Sequence, residues 1–536
     1  MSNNQTEPVS NNIQGQIKIA EENFSFCVDS NKSVYATPIN AGSGATVTLN
    51  GNEFKEQYKL MHLQKFQKNI TRLKLEDLVD IISIKVKTKN KSETVSIRTG
   101  VDGNKLIYDT GTDFLIFDKI VNVLQVKNCE KIFMRPSNIV SLPPFSLGGR
   151  SFDLLKKYLT LNDIEYRILL SFITYSMIDL GAPYPILILN GEKGSAKSTT
   201  SKVIKTIIDN TQSLIESFPS KEDDIYIVLK NSHLTAFDNL SGINGKMSDT
   251  LCKVSTGVAY SKRTLYSDDR VTCLKLRKPL ILNGIDNIAK RGDIQDRSIV
   301  FNLKSIPNSE RRAEKEFWTS FNEDFPDILS AIFTLISEAY QKVDTIKLED
   351  LPRMADFAKW SEAIYQTLDY TDSTFLEDFS SIKNEARQES LDSCLIFQGL
   401  KWLYTEVLEP DLSIQNDDFK EGKFPSTKMT TSNLYKEIVP ENFEKEFKKR
   451  FPSIQSFSRE LKRLIPQLRE EGIFIEELKR SSGERLKSIT FTKPFTYIES
   501  FDKESGYKSR NRNGDFFDLQ DSRNINNSND EKEFDL

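Results

Sequence analysis

The chain has 536 residues, 38% hydrophobic and 28% charged, with a net charge of −4. That length is too great for one hydrophobic core and predicts three or four domains. So small a net charge excludes a global field as the means of holding nucleic acid, and any such contact must come from local basic patches. Five scattered cysteines form no CxxC pair, and two histidines are too few for a zinc site. They predict reduced thiols in a cytoplasmic protein. Residues 1–16 are polar and unlike a signal peptide. The longest mostly apolar run, 168–180, is shorter than a membrane span, so no membrane partner is expected.

In chain order, residues 1–20 are rich in Asn, Gln and Ser and predict a disordered tail. Residues 21–147 mix alternating runs with one helix over 53–71 and predict an α+β N-terminal domain. Its strands are expected at 94–98, 105–109, 113–117 and 123–126, separated in part by Asp-Gly and Thr-Gly turns. No chemistry is visible there. Residues 151–180 predict a helical region packed against a central sheet. From 148 to 310, strand and helix alternate, which predicts an α/β core with a parallel sheet. Strands are expected at 185–190, 214–218, 233–238, 279–283 and 298–303, and helices at 197–209, 223–230 and 248–256. Residues 311–410 are mainly helical and predict a lid or bundle. Residues 411–429 predict a linker, 430–495 a winged helix, and 496–536 a second disordered tail.

The core opens on an apolar strand followed by Gly191-Glu192-Lys193-Gly194-Ser195-Ala196 and a helix beginning Lys197-Ser198-Thr199. This order suits a loop that wraps a triphosphate. Glycines bring backbone N–H groups close to phosphate. Lys197 is expected to reach the outer phosphates of ATP and Ser198 to place its hydroxyl on Mg²⁺, with the helix N-terminus aimed at the anion. Ala196 stands where the pattern has Gly, and it fits that loop only with a negative φ.

Asp238 ends an apolar strand 41 residues after Lys197, where a carboxylate can hold Mg²⁺ through water. Asn239 follows where many such ATPases have Glu. An amide orients water but accepts no proton at neutral pH, so the base is either absent or Glu192 in the loop. Asn283 ends the next strong strand and is a candidate polar sensor of the γ-phosphate. Arg297, just before the last strand, is a candidate arginine finger for a neighbour's site, with Arg291 second; a salt bridge to Asp293 or Asp296 is the alternative. Residues 259–266 and 271–276 predict a hairpin that exposes Lys262 and Arg263 to the phosphates of a threaded strand, with Tyr260 or Tyr266 stacking on bases.

Further on, Phe457, Leu461, Leu464, Ile465 and Leu468 make one apolar stripe on a helix entered at Ser456. Arg459, Lys462 and Arg463 fall mainly on its other face. Helices, a basic helix and then a hairpin over 473–478 and 486–492 give the winged-helix pattern, in which the basic helix enters a DNA groove. Residues 442–493 hold 13 basic and 8 acidic side chains. Pro466 is expected to kink the helix. A winged helix used only for protein contacts is the alternative.

Residues 190–199, 231–242, 280–284 with Asp296-Arg297-Ser298, and 351–360 together resemble a family of bacterial and mobile-element ATP-binding proteins. These look like the helicase parts of phage and plasmid primase-helicases, similar to superfamily-three and minichromosome-maintenance-type helicases. The resemblance implies an AAA+ core and a ring, a hexamer, that hydrolyses ATP between subunits and moves along single-stranded DNA in its pore. Ala196 and Asn239 are ordinary in that family. No primase motif is evident in the N-terminal region, and a primase is a candidate partner. The expected function is an ATP-dependent DNA helicase of a phage, plasmid or integrated element. The alternatives are an ATP-gated DNA-binding switch and a packaging or defence ATPase.

Overall fold

The computed structural model describes residues 12–40, 46–89, 92–263, 271–274, 276–284, 288, 292–392, 394–408, 424–439, 444–478 and 486–495, together with 508–510 and 516–518. The chain divides into two compact units, Met1–Ala386 and Arg387–Leu536.

The first unit begins with α1, Ile13–Asn23, whose start is capped by Asn12 Oδ1 accepting the Gly15 N–H at 2.8 Å. Over 13–20 this helix corrects the expected tail, because Ile19 and Ala20 are buried in a core and not solvated; residues 1–11 lie outside the described residues. Strands β1 (Phe24–Val28), β2 (Val34–Pro38) and β3 (Val47–Thr48) form an antiparallel sheet in that order. Helices α2 (Asn52–Phe66) and α3 (Arg72–Lys89) pack on it through Phe54, Tyr58, Leu78 and Ile82. Two helices therefore stand where one was expected.

A four-stranded antiparallel meander comes next: β4 (Thr99–Asp102), β5 (Lys105–Asp109), β6 (Phe114–Asp118) and β7 (Asn122–Val126). The strand expected at 94–98 is reduced to isolated bridges at Ser96 and Ile97, and Arg98 turns the chain with a φ of +60°. Helix α4 (Asp163–Ser176) opens with a capping box between Asn162 and Glu165, which satisfies two helix-end donors.

The central sheet is parallel and five-stranded. Its strands are β8 (Ile186–Gly191), β9 (Glu216–Ser217), β10 (Thr235–Leu240), β13 (Leu280–Gly284) and β14 (Ser298–Leu303), ordered β14-β8-β13-β10-β9. Helices α5 (Lys197–Asp209), α6 (Glu222–Lys230) and α7 (Gly245–Thr256) connect the first strands. The hairpin β11 (Tyr260–Arg263) with β12 (Val271–Leu274) precedes β13, and a short α8 (Gly292–Gln295) precedes β14. The strands are continuous apolar runs because both faces are covered. Leu187, Leu189, Ile281 and Phe301 pack on one side with Val203 and Ile207 of α5. Ile186, Ile188, Leu282 and Val300 pack on the other with Tyr226 and Leu229 of α6 and Leu251 of α7.

Helices α9 (Glu314–Lys342), α10 (Ala355–Thr367) and, as far as Ala386, α11 (Phe375–Asp392) complete the unit. The sequence boundaries at 147 and 310 do not separate cores here. Phe333 of α9 lies against the rings of Tyr108 and Phe117 in the meander, with centroids 5.5 and 6.3 Å away. Trp360 of α10 is fully buried and donates its Nε1–H to Thr174 Oγ1 of α4 at 3.0 Å. Meander, central sheet and these helices share one core.

In the second unit, α12 (Leu395–Trp402), α13 (Thr431–Glu437), α14 (Glu444–Arg450) and α15 (Ile454–Glu470) surround an antiparallel sheet ordered β15-β17-β16. Its strands are β15 (Ser426–Thr430), β16 (Ile473–Glu477) and β17 (Leu486–Phe491). Ile396, Phe397 and Leu400 share this core with Phe447, Phe457 and Leu461, so the unit starts well before residue 430. Strand β15 occupies the end of the expected linker at 411–429; residues 409–423 lie outside the described residues. Ser453, not Ser456, caps α15, with Ser456 completing the capping box. The helix runs on through Pro466. Of the expected tail at 496–536, only Lys508–Arg510 and Phe516–Asp518 are described, and they pair antiparallel. Among the described residues no helix is long and apolar enough to cross a membrane.

Candidate nucleotide-binding site

The carboxyl ends of β8, β10 and β13 meet at the mouth of the central sheet, where open α/β sheets place ligands. Strand β8 delivers Gly191, where close packing demands glycine: a Cβ would lie 2.5 Å from the Leu303 carbonyl oxygen of β14 and 2.6 Å from Ser195 Oγ. Gly194 has a φ of +89°. Ser195 is fully buried and donates to the Glu192 carbonyl at 2.9 Å, while the Glu192 and Lys193 side chains face solvent. Ala196 corrects the sequence expectation: its φ is +58°, left-handed and not negative. That conformation costs an L-residue roughly 1–2 kcal/mol. The tertiary path from β8 into α5 imposes it, and Ala196 O accepts the first helical bond from the Thr200 N–H at 2.8 Å.

Lys197 folds back over the loop, its ammonium donating to the carbonyls of Gly191 at 2.7 Å and Glu192 at 2.6 Å. Burial draws its pKa below the ordinary lysine value, against the pull of Asp238 and Glu192. One residue on, Ser198 Oγ donates to the Asp238 carboxylate, 3.1 Å from Oδ1 and 3.0 Å from Oδ2. Thr199 continues the first turn of α5.

Asp238 is not at the tip of its strand, since β10 continues to Leu240. The pairing of β10 with β13 shifts register between Phe237 and Leu240. This bulge re-aims the carboxylate across the mouth of the sheet to Ser198. Asn239 takes the positive φ of the bulge, +57°, which Asn tolerates better than most residues. Its backbone N–H is the working group, lying 2.8 Å from Asp238 Oδ1 and 2.9 Å from Asn283 Oδ1, while the side chain is exposed. Asn283 is fully buried and uses its other end as well, Nδ2 donating to Ser201 Oγ at 3.0 Å. Ser201 was missed in the sequence because nothing local marks it. Hydroxyl and carboxylate oxygens are hard donors that suit Mg²⁺, which takes one or two protein oxygens and fills its shell with phosphate and water.

Arg297 lies at the other end of the sheet. Ser298 pairs with Ile186 and Leu303 with Gly191, so five residues of strand, about 17 Å, separate it from the loop. Among the described residues it forms no salt bridge with Asp293 or Asp296. Its Nη1 donates to the Asp293 carbonyl at 2.8 Å, and Asp296 pairs with Arg353 at 2.9 Å. Arg291 lies outside the described residues.

Residues 153–374 match the family of actinomycete integrative conjugative element replication proteins. The resemblance of the motifs to mobile-element replication proteins thus meets an independent family match over the same core. The active helicase Cch of SCCmec type IV is similar at 13% identity and a TM-score of 0.43, over 87% of this chain and 92% of that one. The apo NrS-1 C-terminal region is similar at 10% identity and a TM-score of 0.40, over 89% and 99%. No curated protein sequence matches.

Of the basic residues expected to face DNA, Lys262 pairs with Thr272 and Arg263 with Val271 in the β11–β12 hairpin. Their side chains, that of Tyr260 and the turn with Tyr266 lie outside what is described. In the second unit Arg459, Lys462 and Arg463 are all exposed on α15. Lys462 lies 3.8 Å from Glu477 and Arg463 3.5 Å from Glu460.

Sequence reasoning also missed a buried charge cluster at the far end of α5. Asp209 Oδ1 accepts from Arg98 Nε at 3.0 Å, and Oδ2 accepts from Lys205 Nζ at 2.7 Å and the His233 N–H at 2.8 Å. Arg98 and Asp209 are fully buried and far apart in sequence, which is why no motif announces them.

Proposed function

We propose that the chain is an ATP-dependent DNA helicase or translocase acting in replication of a phage, plasmid or integrated mobile element. The observation that carries this reading is the direct approach of Ser198 to Asp238 beside a glycine-bearing loop at the N-terminus of α5. In it, Lys197 leaves the loop carbonyls for the outer phosphates of ATP. The loop N–H groups and the positive helix end hold the phosphate chain. Ser198 and Asp238 hold Mg²⁺, which would neutralise charge developing on the phosphates. Asn283 fixes the bulge through the Asn239 N–H, so its sensing of the γ-phosphate would pass through that backbone. The distance of Arg297 from its own loop supports a role in trans, as an arginine finger in a neighbour's site.

The strand order fifth-first-fourth-third-second supports an AAA+ P-loop core. The arrangement of α13 to α15 with the β15-β17-β16 sheet supports a winged helix whose Arg459, Lys462 and Arg463 meet duplex phosphates. Lys262 and Arg263 would meet single-stranded DNA in the pore of a hexamer. A primase partner and a cytoplasmic setting complete the proposal. The test is separation of a forked duplex by the full chain with ATP and Mg²⁺, with Asp238→Asn as the control. ATP-dependent strand separation lost in the variant is the expected result.

A second reading, an ATP-gated DNA-binding switch, is favoured by one observation: residue 239 offers a backbone N–H in place of a carboxylate base. It predicts ATP-dependent DNA binding with no strand separation in the same assay.

A further inference from the structure

The segment after β14 returns to the phosphate loop. The Ile306 N–H donates to the Gly194 carbonyl at 3.1 Å, which ties the segment to the middle of the loop. Five residues on, Arg311 lays its guanidinium over that same glycine: Nη2 is 2.9 Å from where a Cβ on Gly194 would stand. The Arg311 Nε–H is directed at the Ile306 carbonyl, 3.3 Å away, which sets the plane of the fork. Among the described residues no carboxylate pairs with Arg311, and its side chain is exposed. Arg311 thus joins Lys193 and Lys197 as a cation at the loop, beside a helix N-terminus whose own field favours anions. A planar guanidinium in such a place matches phosphate oxygens two at a time.

We propose that Arg311 is a phosphate-binding side chain acting in cis, on the nucleotide held by its own subunit's loop. This rests on the nucleotide-binding reading of that loop and adds a residue that no motif marks. Arg297 and Arg311 then divide the work by position: one lies at the foot of β14 and serves a neighbour, the other lies beyond its top and serves its own site.

The experiment is titration of the full chain with fluorescent ATP and ADP derivatives, using wild type, Arg311→Ala, Arg311→Lys and Lys197→Ala. The expected result is at least a tenfold loss of affinity in Arg311→Ala, with part restored by Arg311→Lys and a shallower salt dependence. Loss for both nucleotides assigns the contact to the inner phosphates, and loss for ATP alone to the γ-phosphate. Wild-type affinity in Arg311→Ala, with binding lost in Lys197→Ala, overturns the proposal and leaves the loop reading intact. Loss in Arg311→Ala with none in Lys197→Ala keeps a phosphate contact for the arginine but overturns the loop assignment, and with it the cis site proposed here. A wild-type chain that binds neither nucleotide overturns both. Mixed assemblies settle cis against trans. Lys197→Ala subunits mixed with Arg311→Ala subunits should stay inactive, because each carries a damaged site of its own. Recovered hydrolysis in that mixture would overturn the cis assignment.

Discussion

The two ends of α5 treat charge in opposite ways. At the N-terminal end, the Lys197 ammonium rests on two carbonyls of its own loop, and Ser198 spans to a half-buried carboxylate. At the C-terminal end, Asp209 and Lys205 are buried and their partners are all protein: Lys205 Nζ also donates to the Leu234 carbonyl at 2.6 Å. Burial alone would raise the Asp209 carboxyl, yet Lys205 and Arg98 hold it well below the usual carboxylate range. A carboxylate at a helix C-terminus also opposes the dipole, so this end holds together only as a set. One end leaves donors that a ligand can take; the other spends every charge on the fold. The same helix thus carries a site at one end and a staple at the other.

The sharpest way to break this contrast is Lys197→Ala. Hydrolysis should fall by at least about 10²–10³-fold, as for other preorganised donors to developing charge, with the melting temperature unchanged. A large loss of stability with residual turnover would mean that the lysine is structural, like its counterpart at the other end. The reverse pattern is expected at Arg98. Arg98→Met leaves Asp209 and Lys205 buried with a broken set, which should lower unfolding free energy by about 3–5 kcal/mol in denaturant titration. Nucleotide affinity of the folded fraction should hold.

The contrast also marks what could be read from sequence. The proposed phosphate loop is local: six residues between an apolar strand and a helix make it visible, so the strand–loop–helix over 186–209 and the nearness of Asp238 to Ser198 were legible. The parallel sheet was legible for the same reason, since runs such as 186–189 and 280–282 announce strands covered on both faces. The φ of Ala196 was not legible, because the closure of β8 against β14 sets it. Nor was the role of Asn239, where the side-chain identity drew attention and the backbone N–H does the holding. Arg98 and Asp209 meet across 111 residues of chain. Helix α3 is a different case: Leu75, Leu78, Val79, Ile82 and Val86 carry plain helical spacing within a region read as mostly strands.

A smaller effect tests the staple through pH. His233 donates its backbone N–H to Asp209, and its Nε2 lies 2.6 Å from the Ser176 carbonyl. Burial pushes the imidazole down to about 4, with Lys278 adding to the shift. The unfolded chain therefore takes up a proton near pH 6.5 that the folded chain refuses until about pH 4. Stability from this residue is complete above about pH 6.5 and declines as pH falls, by about 3 kcal/mol at the lower limit. His233→Gln should flatten the melting curve against pH between about 6.5 and about 4.5. An unchanged slope in the variant would remove His233 from the cluster's energetics.

The smallest effect belongs to the site end and has the opposite sign. Ala196→Gly relieves a left-handed alanine, a gain of roughly 1–2 kcal/mol, but loosens the unfolded chain by about 0.4–1 kcal/mol. The net expectation is a stabilisation of about 0.5–1 kcal/mol, read as a small rise in the denaturant midpoint. Turnover should barely change, since the backbone N–H groups proposed to face phosphate keep their directions. If the variant is instead less stable, the loop does not need the left-handed turn at 196. The left-handed turn at Ala196 would then add no strain to the resting protein, whose staple keeps a left-handed residue of its own in Arg98.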